Sequence, residues 1–325
     1  MVNQKQLGAQ MFGAKIPRER TVVSMFSGCG GLDLGFLGGF KSLDKTYDRL
    51  PYRIVWSNDN SPAACETYRQ NLGEAIHCGD VWEQLDGLPA RADIVIGGFP
   101  CQDVSINGRR DGIEGVRTGL YRAMVEAVDR VKPKIFVAEN VKGLLMGGGE
   151  QPIQQIIGEF EALDYEVSWR LYLAADYGVP QMRERIFIVG TSKRGRVKPF
   201  VHPVPLLGED ERITTQAAIG DLASMSERQE INHIWSHAKV SSGQGNRTVK
   251  ADRPSTTIRA ECHGNIQFHY KKPRRLSMRE AARIQSFPDT FRFTSGLRET
   301  ERQIGNAVPP VLAWHIAHAV KDCLS

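Results

Sequence analysis

Two residue types far apart in the chain could do chemistry together: Cys101, in GGFPCQDVS, and Glu139, in FVAENV. The cysteine follows a proline just past the apolar run ADIVIGGF, so Pro100 fixes the backbone and the thiol is carried beyond the strand to a ligand edge. An isolated cysteine is more often structural, and a free thiol with a pKa near ~8.5 is mostly protonated at neutral pH. It needs help from its surroundings. A carboxyl group with a raised pKa, such as Glu139, can donate a proton to a ring nitrogen or share one with it. Arg183 or Arg185, in QMRERIF, can orient that carboxyl and bind a carbonyl oxygen. Such a set suits addition of a thiolate to an electron-poor heterocycle. Without the cysteine, the acid and arginine would read as an ion pair at a sheet edge.

A second constellation is built for binding. FSGCGGLDLG follows a strand and opens a helix, and its glycines permit a tight turn and close approach of a ligand to the backbone. Turns of this kind serve dinucleotides, phosphates and S-adenosylmethionine alike. Asp59, at the next strand end, can accept from ribose hydroxyls, and Asp80, in GDVW, from an adenine amino group. Each acid alone is more commonly a helix N-cap. Together with the glycine turn they favour an adenosine-containing ligand.

The elements that must position these groups are short β-branched runs, at 21–26, 53–57, 92–98, 134–140 and 183–190, separated by helical patterns. That alternation predicts an α/β fold with a parallel sheet wound by crossovers, whose ligands lie outside the carboxyl ends of the strands. From 191 to 272 the texture becomes basic, with Gly and Thr and weak periodicity. This predicts a small separate module, flanked by a larger domain of 1–190 plus 273–325. SMREAARIQSF returns to helical spacing, and PPVLAWHIAHAVKDCL predicts a terminal helix begun by a proline pair and packed on the first domain.

The composition agrees. With 325 residues, 41% of them hydrophobic, the chain can bury a full core. No run of about 18 apolar residues occurs, and the N-terminus lacks a signal-peptide core, so a soluble, cytoplasmic protein with no membrane association is expected. Six cysteines without a C-x-x-C pair argue against a disulfide framework or a thiolate zinc site. A net charge of +5 permits a polyanionic partner without requiring one. His233 and His237 stand at helical spacing, without further ligands for a metal; His315 and His318 are expected on the packed terminal helix.

Taken in order, FSGCGGLDLGF, GGFPCQDVS, AENVKG, QMRERIF, RRLSMREAARIQSFPDTF and QIGNAVPP resemble the motif blocks of the DNA cytosine-5 methyltransferase family, of the bacterial restriction-modification type. They touch most of the chain except about 191–272, where the family carries a variable target-recognition domain. The resemblance implies a Rossmann-like, class I S-adenosylmethionine-dependent methyltransferase fold. It also implies that Cys101 attacks C6 of a flipped-out cytosine so that C5 accepts a methyl group from S-adenosylmethionine, leaving S-adenosylhomocysteine. Pro100 would shape the loop, Glu139 stabilise protonation at N3, Arg185 hold the base and Glu139, and Asn140 orient the Pro-Cys loop, with Arg183 beside them.

For the cofactor, the resemblance points to Phe26, Gly28, Cys29, Gly30, Gly31 and Leu32 around the methionine and ribose. Asp59 and Asn60 follow at the ribose and adenine, Asp80 and Val81 at the adenine, and Leu120 with Asn306, Ala307 and Val308 closing the pocket; no metal is required. Asn60 and Val104 stand where the family often has aromatic residues. Extrusion of a cytosine from a duplex leaves a gap. SSGQGNR resembles the loop that fills it, making Gln244 the candidate, with Ser105 and Asn107 approaching from the catalytic loop. Gly108 to Gly119 would close over the DNA, with Arg109 and Arg117 on phosphates. Arg247, Thr257, Arg259, Glu261, His263 and Asn265 have the donors and acceptors that read base edges.

The implied partner is double-stranded DNA, bound by a monomer that acts beside a restriction endonuclease without a stable complex. Three rivals are disfavoured. An RNA methyltransferase of the same fold would carry a Cys-Phe-Thr tripeptide, a non-catalytic relative would lose the cysteine or glutamate, and a nicotinamide dehydrogenase has no role for FPCQ, AENV and RERIF.

Overall fold

The computed structural model describes residues 19–100, 119–145, 151–195, 197–238, 247–260 and 266–325. Its centre is a seven-stranded sheet. In chain order the strands are β1 (Arg20–Met25), β4 (Tyr52–Asp59), β5 (Ile76–Cys78), β6 (Ile94–Gly98), β7 (Ile135–Val141), β8 (Tyr165–Leu173) and β10 (Glu184–Ser192), arranged β5-β4-β1-β6-β7-β10-β8. The first five are mutually parallel, with β1 at the switch between β4 and β6. This is the Rossmann-like arrangement expected.

The strand expected at 183–190 does not continue the parallel set. β10 runs antiparallel to both β7 and β8. The cause is connection length: only residues 174–183 join β8 to β10, and a parallel return needs a crossover of about a dozen residues or more. β8 lies at the sheet edge with a mixed burial pattern, so it lacks the apolar run that marks the central strands.

Successive side chains of a strand point to opposite faces. Val22, Ile94, Ile96, Val137, Phe187 and Val189 meet α1 (Gly31–Leu37) and α9 (Pro310–Cys323) in one core. Val23, Met25, Val95, Phe136, Ile186 and Ile188 meet α4 (Leu120–Val131) and α5 (Gln151–Glu161) in the other. Both faces are covered, which is why the strands read as near-continuous apolar runs.

Residues 41–52 form a clamp on the terminal helix. The hairpin of β2 (Phe40–Ser42) and β3 (Lys45–Tyr47) stacks Phe40 on Tyr47 at 5.1 Å, with Tyr47 edge-on to Trp314. Trp314 Nε1 then donates to Asp48 O at 2.9 Å. His315 and His318 lie on α9 as expected. His233 and His237 lie on no helix: the His233 ring is buried against Ser277 Oγ at 2.8 Å, and His237 is exposed.

The described part of 191–272 holds little regular structure beyond α6 (Thr215–Ile219) and β11 (Ser255–Thr256), which pairs with β9 (Gln181–Met182). Ala218, Ile219, Val249, Ile258 and Ile266 bury in the same core as α7 (Met278–Ile284) and α9. α7 begins with a capping box in which Ser277 Oγ accepts from Glu280 N while the Glu280 carboxylate accepts from Ser277 N. α8 (Leu297–Asn306) brings the QIGNAV segment back to the sheet edge.

Candidate active site

The carboxyl ends of β1, β4, β6 and β7 open on one edge, and the residues singled out for chemistry collect there. β7 ends in Glu139 and Asn140, and Glu139 lies in register with Gly98 of β6. A Cβ on Gly98 would stand 3.0 Å from Glu139 Oε2, so the glycine leaves room for the carboxylate. From the other side, β10 delivers Arg185, whose Nε lies 2.8 Å from Glu139 Oε1. The two side chains are only 11% and 9% exposed. Burial pushes the Glu139 carboxyl above its ordinary range, against the opposing pull of Arg185 and then Arg183. A carboxyl so placed holds its proton more readily than an exposed one and can exchange it with a ligand.

Asn140 faces the neighbouring loop. Its Nδ2 donates to Phe99 O at 3.0 Å and its Oδ1 accepts from Val141 N at 2.8 Å. The backbone entering Pro100 is therefore tied to the strand that carries Glu139, and Pro100 itself is exposed. Cys101, Ser105, Asn107, Arg109, Arg117 and Gln244 lie outside the described residues, as do Glu261, His263 and Asn265.

Arg183 is placed differently from the expectation. Its guanidinium is buried and donates to the carbonyls of Ile258 (2.8 Å), Gly305 (2.7 Å) and Ala307 (3.1 Å). A planar fork aimed at main-chain carbonyls positions segments. Arg185, two residues on along an antiparallel strand, is the arginine bonded to the carboxylate.

The glycine turn sits beside this site. Phe26 adopts φ 54° and Gly28 φ 55°, both left-handed, and strain at a bulky residue such as Phe26 is the kind found at ligand clamps. A Cβ on Gly28 would meet nothing within 4 Å, so its backbone borders open space. A Cβ on Gly31 would come within 2.5 Å of Val308 O, so α1 begins in direct contact with the Asn306–Val308 segment. Asp59 Oδ2 accepts from Gly28 N at 2.8 Å and Oδ1 from Ser61 N at 2.9 Å, which fixes the turn to the end of β4. Asp80 is exposed and caps α3 (Val81–Gln84) by accepting from Trp82 N at 2.8 Å. Asn60 and Asn306 are exposed, Phe26, Leu120 and Ala307 half-buried, and Leu32, Val81 and Val308 buried. Cys29 is buried, with its thiol pushed up by burial and its Sγ 3.8 Å from Gln303 O, so its side chain packs inward.

Beneath the turn lies a network that the sequence reading missed. Asp33 is fully buried and accepts from Ser24 Oγ and Tyr68 Oη, each at 2.9 Å. Burial raises its pKa to about 6. An acid two positions after the last glycine of GCGG, on the inner face of α1, was the only available signal. Gln181 and Gln285 were also missed, because long-range pairing alone makes them significant.

On the module side, Thr257 Oγ1 donates to Met182 O at 2.7 Å, while Arg247 and Arg259 are exposed. Among the described residues, no three or more His, Cys, Asp or Glu side chains group to hold a metal, and no helix is long and apolar enough to cross a membrane.

The profile of the C-5 cytosine-specific DNA methylase family matches residues 20–248 and 206–322. Type II methyltransferase M.NgoFVII of Neisseria gonorrhoeae is 38% identical over 338 residues, covering 94% of this chain and 87% of its own length. Type II methyltransferase M.FnuDI of Fusobacterium nucleatum is 33% identical over 339 residues, covering 94% and 95%. The crystal structure of S. pombe Dnmt2 methyltransferase shares the fold, with a TM-score of 0.68 at 16% identity over 94% of this chain and 99% of that one.

Proposed function

The chain belongs to the C-5 cytosine-specific DNA methylase family, and from that premise we propose that it methylates cytosine within a short duplex DNA sequence through a covalent adduct at Cys101. The observation that carries the proposal is the buried Glu139–Arg185 pair beside the backbone entering Pro100, which Asn140 holds at Phe99 O. Cys101 comes next in the chain and would form the bond to C6 of the base; once C5 has taken the methyl group, a base would remove the C5 proton and the Cys101–C6 bond would break by elimination, restoring the ring and the thiolate. Glu139, held against easy ionisation by burial, would supply or share the proton at N3 as the ring takes up electrons. Arg185 would fix the carboxyl and the base carbonyl together.

The turn fits S-adenosylmethionine: open space at Gly28, a strained Phe26 and an acid at Asp59 form a polar-lined edge. Bound there, the cofactor supplies the electrophilic methyl group. Gly28 to Leu32 would approach its methionine and ribose. Asp59 and Asn60 would lie toward ribose and adenine, Asp80 and Val81 at the adenine, and Leu120 with Asn306 to Val308 would close the pocket. Residues 191–272 would form the target-recognition domain, with Arg247, Thr257 and Arg259 toward DNA and Gln244 entering the vacated stack. We read the protein as a monomeric, cytoplasmic enzyme that protects DNA from a restriction endonuclease without a stable complex with it.

The test is transfer of labelled methyl groups to duplex DNA by the wild type and by Cys101→Ala. Transfer should vanish in the variant while S-adenosylhomocysteine binding stays within about twofold. Full activity in the variant would falsify the nucleophile. Bisulfite sequencing of DNA from expressing cells should reveal one short methylated motif, and transfer to transfer RNA without such a motif would move the substrate to RNA.

A further inference from the structure

Arg183 and the glutamines around it form a seam between two parts of the site that chain connectivity does not join. The peptide of Ile258 is held from both sides. Its N–H donates to Gln181 Oε1 at 2.9 Å and its carbonyl accepts from Arg183 Nη1 at 2.8 Å. The other arm of the guanidinium, Nη2, reaches Gly305 O at 2.7 Å and Ala307 O at 3.1 Å. Ala307 O also accepts from Gln285 Nε2 at 2.6 Å, and Gln285 Oε1 accepts from Gln181 Nε2. Backbone lies directly on backbone where the segments meet: a Cβ on Gly305 would be 2.4 Å from Ala260 N.

Ile258 stands between Thr257 and Arg259, and Gly305 directly precedes Asn306. One end of the seam therefore belongs to the recognition side and the other to the cofactor side. A guanidinium has fixed geometry, and its hydrogen bonds fail when stretched much beyond about 3.5 Å. Displacing either carbonyl set by about 1 Å must break bonds or drag the other set along. Buried polar networks of this kind rigidify what they join.

We propose that Arg183 is a positioning residue that couples cofactor binding to the placement of the recognition segment around Ile258. The proposal rests on the methyltransferase reading above. Binding energy at the Asn306–Val308 wall stiffens the seam, and the stiffened seam holds Thr257 and Arg259 at a defined distance from the cofactor. Coupling of this kind is reciprocal, so DNA on the recognition side must tighten the cofactor by the same factor.

The experiment uses the full chain, with S-adenosylhomocysteine as probe and amide hydrogen exchange as readout. In the wild type, saturating probe should slow exchange at the Ile258 amide roughly tenfold, in step with the amides of 304–308. In Arg183→Lys, protection at 304–308 should persist while that at Ile258 falls to within about twofold of the free protein. In steady-state methyl transfer to a pool of random-sequence duplex DNA, the same variant should raise KM for both substrates roughly tenfold and leave kcat within about threefold. Wild-type protein that binds the probe without protecting Ile258 overturns the coupling, as does a collapse of kcat with both KM values intact. The wild-type arm decides the matter even if Arg183→Lys fails to fold. A wild type that binds no probe at all brings down the methyltransferase reading, and the coupling with it.

Discussion

Replacing Arg185 with methionine keeps the aliphatic bulk of the side chain and removes the charge that faces Glu139. With Nε and Oε1 2.8 Å apart, Coulomb attraction at an effective dielectric constant of 20 is about 6 kcal/mol before desolvation is subtracted. Removing one member of a buried ion pair typically costs about 3–5 kcal/mol, because the survivor stays buried without compensation. Arg185→Met should therefore lower unfolding free energy by about 3–5 kcal/mol near pH 8. The sign with pH follows from Glu139, whose carboxyl is already raised by burial and loses a restraining charge in the variant. Once protonated, the acid carries no charge to leave uncompensated. The deficit must shrink as pH falls through the raised pKa and be largest above it. Glu139→Gln should cost less, and adding it to Arg185→Met should recover about 2–3 kcal/mol. Urea unfolding of the four proteins at pH 8 and pH 5, comparing midpoints at unchanged slope, measures this. An Arg185→Met deficit below about 1 kcal/mol at pH 8, or one that grows on acidification, would refute a buried, strongly coupled pair.

Two further outcomes follow from the turn and the network beneath it. Asp33 titrates near 6 when folded, against about 3.9 in an unfolded chain. Its contribution to stability is thus present below about pH 4 and lost as pH rises through 6, a change of about 3 kcal/mol; Asp33→Asn should flatten that part of the stability profile, and an unchanged profile would show that another group is responsible. Gly31→Ala forces a Cβ to within 2.5 Å of Val308 O, so the turn and the Asn306–Val308 wall must separate. Calorimetric titration with S-adenosylhomocysteine should show affinity reduced at least about tenfold, and wild-type affinity would mean that this wall is not part of the pocket.

Local chemistry alone identified most of the sheet edge. Apolar β-branched runs marked the central strands, because a strand covered on both faces must be apolar throughout, and the glycines at 28, 30 and 31 marked a tight turn, in which Gly30 and Gly31 have no room for a Cβ. Glu139, Arg185 and Asn140 were recognisable by type and by their place just past such runs. The roles of the two arginines were not separable there: QMRERIF offers both, and only the antiparallel pairing of β10 with β7 sends Arg185 to Glu139 while Arg183 turns to the carbonyls of Ile258, Gly305 and Ala307. The antiparallel sense of β10 itself depended on how few residues separate it from β8. Asp33, Gln181 and Gln285 gain meaning from partners 35, 104 and 104 positions away, and no spacing rule reaches that far. Residue type and strand ends could thus be read along the chain, whereas which polar group meets which across the fold was decided by packing.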